Sequence, residues 1–183
     1  MAEITVPLSR KGMLDAKKFL LDYKNRTLPN KIRAYVKSLS ELGLSVIDAR
    51  LSESPIGSYV QVKLDIEESR VGSKAIITSI GEVKEGFRPD GTPYPPFNLL
   101  LAIEFGSGIY YNPVPNPNAE ELGFGVGSFP GQIHAFEDGW YYWDEKDSKW
   151  KYTHGIRATM PMYSADIEMI QKAKETAIKT FSS

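Results

Sequence analysis

No cysteine occurs among the 183 residues. Disulfides and thiolate chemistry are therefore excluded, and the redox compartment is left open. Long apolar runs are missing as well. None approaches the roughly 18 residues of a membrane span, and the N-terminal MAEITVPLSRKG has no signal-peptide core. A protein made and used in a cytoplasm, or carried out of it within an assembly, is the expectation. Nor is there an excess of one charge: Lys plus Arg number 22 and Asp plus Glu 23, a net of −1. A dedicated nucleic-acid binder would show a basic surplus.

Reactive constellations are equally scarce. The two histidines, His134 and His154, stand far apart without a metal-ligand pattern around either. Ser107, between Gly106 and Gly108, is not in a G-x-S-x-G elbow. The run from Gly123 to Gly127 lacks the Lys-Ser/Thr ending of a phosphate loop, and it follows a proline-rich stretch rather than a strand. No metal, no cofactor and no enzymatic activity are expected.

What is present points to a single domain over residues 1–183, long enough to bury a real core. Charge is divided along it. Residues 1–50 hold 10 basic and 5 acidic side chains, and residues 51–183 hold 12 and 18. One reading is a solvated basic helix face; the other is a bipolar subunit that stacks on a partner or on its own copies.

Residues 1–12 read as an extended arm, with Ile4, Val6 and Leu8 alternating and Pro7 keeping it at a sheet edge. From Met13 to Gly43 the period is helical. Leu14, Phe19, Leu20 and Leu21 form one apolar patch, and Ile32, Tyr35, Val36, Leu39 and Leu42 a second. Pro29 predicts two helices or one kinked helix, and Gly43 a C-terminal stop. Lys17, Lys18, Lys24, Arg26, Lys31, Arg33 and Lys37 are expected on the exposed face. The period then falls to two. Ile47, Ala49 and Leu51 alternate as a strand, and Val60, Val62, Leu64 and Ile66 form a clearer one. A turn at 67–72 joins the latter to a strand over 74–80, as a hairpin. Residues 81–98, rich in proline and glycine, read as a long loop, and so do 112–139.

Leu99 to Ile103 is an apolar run bounded by Pro96 and by glycines, which predicts a strand buried on both faces. Gly106 and Gly108 suit a sharp exit from it. Glu104, directly after the run, needs a donor if buried; Arg157 or the amides of the glycine turn are candidates. Acid–base catalysis would require a second positioned group that the chain does not offer. Further on, Trp140, Tyr141, Tyr142 and Trp143 face Trp150 and Tyr152 across a turn, a β-hairpin with aromatic cross-strand pairs. This cluster can be packing, a protein contact or a stacking platform for sugars or bases. Its acidic neighbours weaken the nucleic-acid version. Pro161 opens a last helix to about Phe181, with Tyr163, Ile167, Ile170, Ala173, Ala177 and Phe181 as its stripe. The fold class expected is α+β: an antiparallel sheet packed against a long, possibly kinked N-terminal helix, with the aromatic hairpin and a C-terminal helix.

The order of these features resembles the tail-completion, or head–tail joining, proteins of long-tailed double-stranded DNA bacteriophages. This is the "gene product ten" family of lambdoid phages, in the variety found in phages and prophages of Gram-positive bacteria. Its sharpest parts are Glu104-Phe105-Gly106-Ser107-Gly108 and the run from His154 to Tyr163; the loop at 81–98 is longer than that pattern. The resemblance implies a non-enzymatic virion part at the neck, a ring of six between a head-closure (stopper or connector) protein and a tail-terminator or tail-tube protein. DNA would pass through without sequence-specific binding, and no membrane is involved. It also implies that Glu104, Phe105, Gly106 and Gly108 shape the exit of the central segment, while Gly155 and Pro161 set up the last helix. Two rivals stand beside it: a carbohydrate-binding module using the Trp140–Tyr152 hairpin, and a hydrolase using Glu104. The assembly interpretation depends on the 99–103 segment being a strand without a reactive centre; a helix there, or a metal or nucleotide held beside it, makes that interpretation fail.

Overall fold

A computed structural model describes residues 7, 9–69, 72–85, 91, 93, 96–124, 140–144 and 147–182, with 140–144 by their backbone. The fold is α+β, with long helices against small antiparallel sheets. Most of the arm, the centre of the 81–98 loop and residues 125–139, with His134, lie outside the described residues.

The first helix, α1, spans Arg10–Asp22. It starts three residues before the predicted Met13, because the Ser9 hydroxyl accepts the Gly12 N–H at 3.1 Å and so caps the first turn. One widened π turn, Tyr23–Thr27, leads directly into α2, Leu28–Ser52. Leu28 N–H reaches back to the Tyr23 carbonyl. Pro29 has no N–H to give and its ring crowds the preceding turn, so the wider turn accommodates it without ending the helix.

Two predictions fail inside α2. Gly43 is not a stop, and Ile47, Ala49 and Leu51 are helical, not a strand. The buried line Ser40, Gly43, Ile47, Leu51 has steps of three and four, the helical period, and the alternation with Asp48 and Arg50 is incidental to it. Gly43 lies against the last helix, α4 (Pro161–Ser182). A Cβ there would lie 2.6 Å from Met169 Sδ and 3.1 Å from Ile77 Cδ1. The α4 helix runs antiparallel to α2. Its Ala165 joins Ile47 and Leu51 in the core, and at its far end the Phe181 carbonyl accepts from Lys31 Nζ at 3.2 Å. Phe181 also packs on Tyr35, ring centroids 6.2 Å apart. The α4 stripe is rotated from the predicted one, because Ile170 is exposed whereas Ala165 is buried.

Beside α4, against the same buried line of α2, lies the predicted hairpin, β1 (Val60–Glu68) with β2 (Ser73–Gly81), antiparallel with Val60 opposite Gly81. Arg33 on α2 pairs with Glu68 at 3.1 Å, so Arg33, like Lys31, is half-buried rather than on the open face. Two short strands, β3 (Val83–Lys84) and β4 (Phe97–Asn98), pinch the 81–98 loop at its base.

The central segment corrects the largest expectation. Leu99–Phe105 is a helix, α3, not a strand. Asn98 explains it: its side chain accepts the N–H groups of Leu100 at 2.9 Å and Leu101 at 3.4 Å. Burial is as predicted for Leu99, Ala102 and Ile103, while Leu100 and Leu101 are half-buried; Glu104 and Phe105 are buried as well. A short apolar run buried on every side has no readable period, which is why the strand assignment was open to error. Ile103 belongs to the core cluster with Ile47, Leu51, Val60 and Ala165. Full burial of such side chains stabilises by roughly 1.5–3 kcal/mol each. Lastly, β5 (Trp140–Asp144) pairs with β6 (Lys149–Thr153) as the predicted hairpin.

Candidate functional site

The two sequence stretches singled out above, Glu104–Gly108 and His154–Tyr163, meet in space. Glu104 is 6% exposed. Its Oε2 accepts the N–H of Met162 at 3.0 Å and its Oε1 that of Tyr163 at 2.9 Å. These are the first N–H groups of α4, because Pro161 has none. A helix start leaves such donors without intrahelical partners, and a carboxylate there also faces the positive end of the helix dipole. Glu104 is thus a long-range helix cap, 58 residues away in sequence from Met162. Burial lifts its pKa above the ordinary glutamate range; the two amide hydrogen bonds pull it down, and burial prevails. Arg157, its predicted partner, instead lies over the Tyr110 ring, 5.1 Å from the centroid.

The C-terminal carbonyls of α3 are used the same way in reverse. The Ile103 carbonyl accepts Thr159 N–H at 2.9 Å and Met160 N–H at 3.3 Å, and the Phe105 carbonyl accepts Asn112 N–H at 2.8 Å. Beyond the helix the two chains lie backbone on backbone. Ser107 N–H donates to Ile156 at 2.9 Å and Ile109 N–H to His154 at 3.0 Å, while the Ser107 hydroxyl accepts Ile156 N–H at 3.0 Å. Contact this close leaves no room for side chains. A Cβ on Gly108 (φ 59°) would fall 1.9 Å from the His154 carbonyl oxygen, and one on Gly155 1.9 Å from that of Ser107. Gly108 therefore has both a left-handed backbone and a steric reason to be glycine. Pro161 is fully buried.

Phe105 stacks on Phe124 at 4.7 Å and 11°. The Tyr111 hydroxyl donates to the Phe124 carbonyl, drawing residues 112–124 back over the joint. Sequence reading missed Asn98, Ser107 and Phe124 in these roles. The asparagine directly before an apolar run was the one signal that could have marked α3 as a helix.

From this joint projects the aromatic hairpin. Trp143 stands opposite Trp150 and Tyr141 opposite Tyr152 by backbone register, while Trp140 and Tyr142 face Thr153 and Lys151. The side chains of Trp140, Tyr141, Tyr142 and Trp143 lie outside the described residues. Trp150 is 65% and Tyr152 51% exposed, and Tyr152 meets His154 edge-on at 5.1 Å.

Chemically, the joint holds one carboxylate with both oxygens occupied by backbone donors. Among the described residues no three potential metal-ligating side chains converge, and no helix is long and apolar enough to cross a membrane. No protein-family model matches the chain, and no curated protein and no solved structure is significantly similar to it.

Proposed function

We propose that this chain is a non-enzymatic virion assembly subunit: a tail-completion, or head–tail joining, protein that forms a ring around the DNA channel. In this reading six copies sit at the neck, between a head-closure protein and a tail-terminator or tail-tube protein, assembled in a bacterial cytoplasm. The helix at 99–105 stands where the sequence-based case requires a strand, and by the condition stated above that case fails. What supports the proposal now is a different observation. The two motifs that carry the resemblance lie about fifty residues apart in sequence and bind one another directly, through Glu104 and the Gly108–Gly155 crossing. Motifs that hold a fold together are what a building block shares with its kin, and Glu104 is spent on capping rather than left free for chemistry.

Electron microscopy and light scattering on the purified protein, alone and with tail extract, test the proposal. Rings, or incorporation at the tail end, are the expected outcome; a strict monomer under both conditions overturns it. In the gene order, portal and capsid genes upstream and a tail-tube gene downstream are expected. Loops lining the bore are expected to be acidic, since Lys and Arg would hold the phosphates.

A second reading is favoured by the exposed Trp150 and Tyr152: a carbohydrate-binding module. Glycan-array binding that is lost in Trp150→Ala would establish it, and no binding to any glycan would remove it.

A further inference from the structure

Glu104 fastens the end of α3 to the start of α4, so the two helix ends form one base. Two stretches of chain leave that base side by side, residues 106–112 from α3 and residues 153–159 leading into α4. They bind one another through Ser107 with Ile156, Ile109 with His154 and the Gly108–Gly155 crossing, and they carry the β5–β6 hairpin. Crossing and hairpin are therefore one unit. It joins the base at Phe105–Gly106 and again at Met160–Pro161.

Both junctions hold a residue with positive φ, 74° at Gly106 and 51° at Met160. Glycine adopts such a backbone at no steric cost. For Met160 the cost corresponds to roughly 5–30-fold in a conformational equilibrium, and the proline after it favours an extended backbone at this position. Strain of this kind persists only where the surroundings impose it, and it collects at switch regions. The hold here is slight. Among the described residues, the main-chain bonds from unit to base are those of Thr159 and Met160 N–H, sharing the Ile103 carbonyl at 2.9 and 3.3 Å, and of Asn112 N–H to the Phe105 carbonyl at 2.8 Å. The Thr159 hydroxyl is buried at the same place with no hydrogen-bond partner, which is itself unfavourable. An extended Met160 would release the strain and give that hydroxyl water. We propose that Gly106 and Met160 are the two pins of a hinge, about which the crossing and its aromatic hairpin tilt as one body against the helix base. The exposed Trp150 and Tyr152 are then presented at two angles. The inference rests on neither functional reading above.

Amide hydrogen exchange on the full chain, followed by NMR, tests it. Thr159 and Asn112 close the hinge on its two separate strands. Their N–H groups are expected to open together, with protection at least about tenfold below that of Ser107 and Ile156 inside the unit. Met160→Gly removes the strain and favours the closed position. It is expected to raise the protection of Thr159 and Asn112 alike, about tenfold, and to leave Ser107 and Ile156 unchanged. A rise at Thr159 alone is a local backbone effect and overturns the hinge, as does equal protection of all these amides in the wild type. The cysteine-free chain permits a second measurement. Spin labels on Lys149→Cys and Lys174→Cys, both exposed positions, on the hairpin and on α4, are expected to give two distances by pulsed electron resonance. Met160→Gly should shrink the minor population about tenfold. A single distance, or two whose proportions ignore Met160→Gly, overturns the proposal. Should the glycine variant fail to fold, the exchange pattern and the distances with Met160 in place decide between hinge and rigid joint.

Discussion

Two regions of this molecule are held together in different ways. Along α2, contact is between side chains: Gly43 faces the end of Met169, and Ile47 and Leu51 meet Ala165 and Val60. At the joint between residues 103–112 and 153–163, contact is between backbones, with Gly108 and Gly155 crossing and Glu104 reaching across to cap α4. Side-chain ends can rotate away from an added atom, whereas a carbonyl fixed by hydrogen bonds cannot. The first region should therefore tolerate substitution and the second should not.

The sharpest way to break this contrast is at the crossing. Gly108→Ala places a methyl group where the His154 carbonyl oxygen already sits, on a backbone with φ 59°. A loss of about 4 kcal/mol or more is expected, read by urea denaturation. Glu104→Ala comes next. It leaves the Met162 and Tyr163 N–H groups buried without an acceptor, and about 2–4 kcal/mol should be lost.

Glu104→Gln keeps one acceptor and turns an amide NH2 toward the other donor, so about 1–2 kcal/mol is expected. It also carries a pH signature. The folded chain holds the Glu104 proton more tightly than the unfolded chain, because burial raises its pKa. That contribution to stability is complete below the ordinary glutamate range and is lost as the pH rises through the raised value. The glutamine variant, neutral throughout, should flatten that part of the stability–pH curve; an unchanged slope would contradict the assigned cause.

Smallest of all should be Gly43→Ala. It needs a shift of only Met169 and Ile77 side-chain ends, offset by the better helix propensity of alanine, and should stay within about 1 kcal/mol of the wild type. A large loss there would erase the distinction between the two regions.

The same division separates what could be read in the sequence from what could not. The β1–β2 hairpin, the aromatic hairpin and α4 were legible because their periodicities or flanking turns are local. The start of α4 at Pro161 was legible too, and so was the need of a buried Glu104 for a donor. The partner of Glu104 was not: it is a pair of amides rather than a cation, and nothing in the local pattern announces a backbone donor 58 residues away. The strand assignments at 47–51 and 99–103 failed for a related reason. In the first, a spurious alternation overlies a helical line through Gly43, and a glycine at that place in the pattern mimics a helix stop. In the second, burial on all sides erased the period, and only Asn98 spoke for a helix. The apolar patch on α1 was read correctly as apolar, but it turned out to face outward.

The way Asn112 returns to Phe105 while Ile109 holds His154 has a consequence for how this chain can vary. Of the described residues between those anchors, 112–124 return to Phe105 through Phe124, while the β5–β6 hairpin is an excursion closed at its base by Thr153 and His154. Lengthening such a tethered insert adds only a slowly growing entropy of closure, about 0.6 kcal/mol per doubling. Segments grafted or exchanged at the tip of that hairpin would leave the packed layers undisturbed, whereas residues 112–124 belong to those layers.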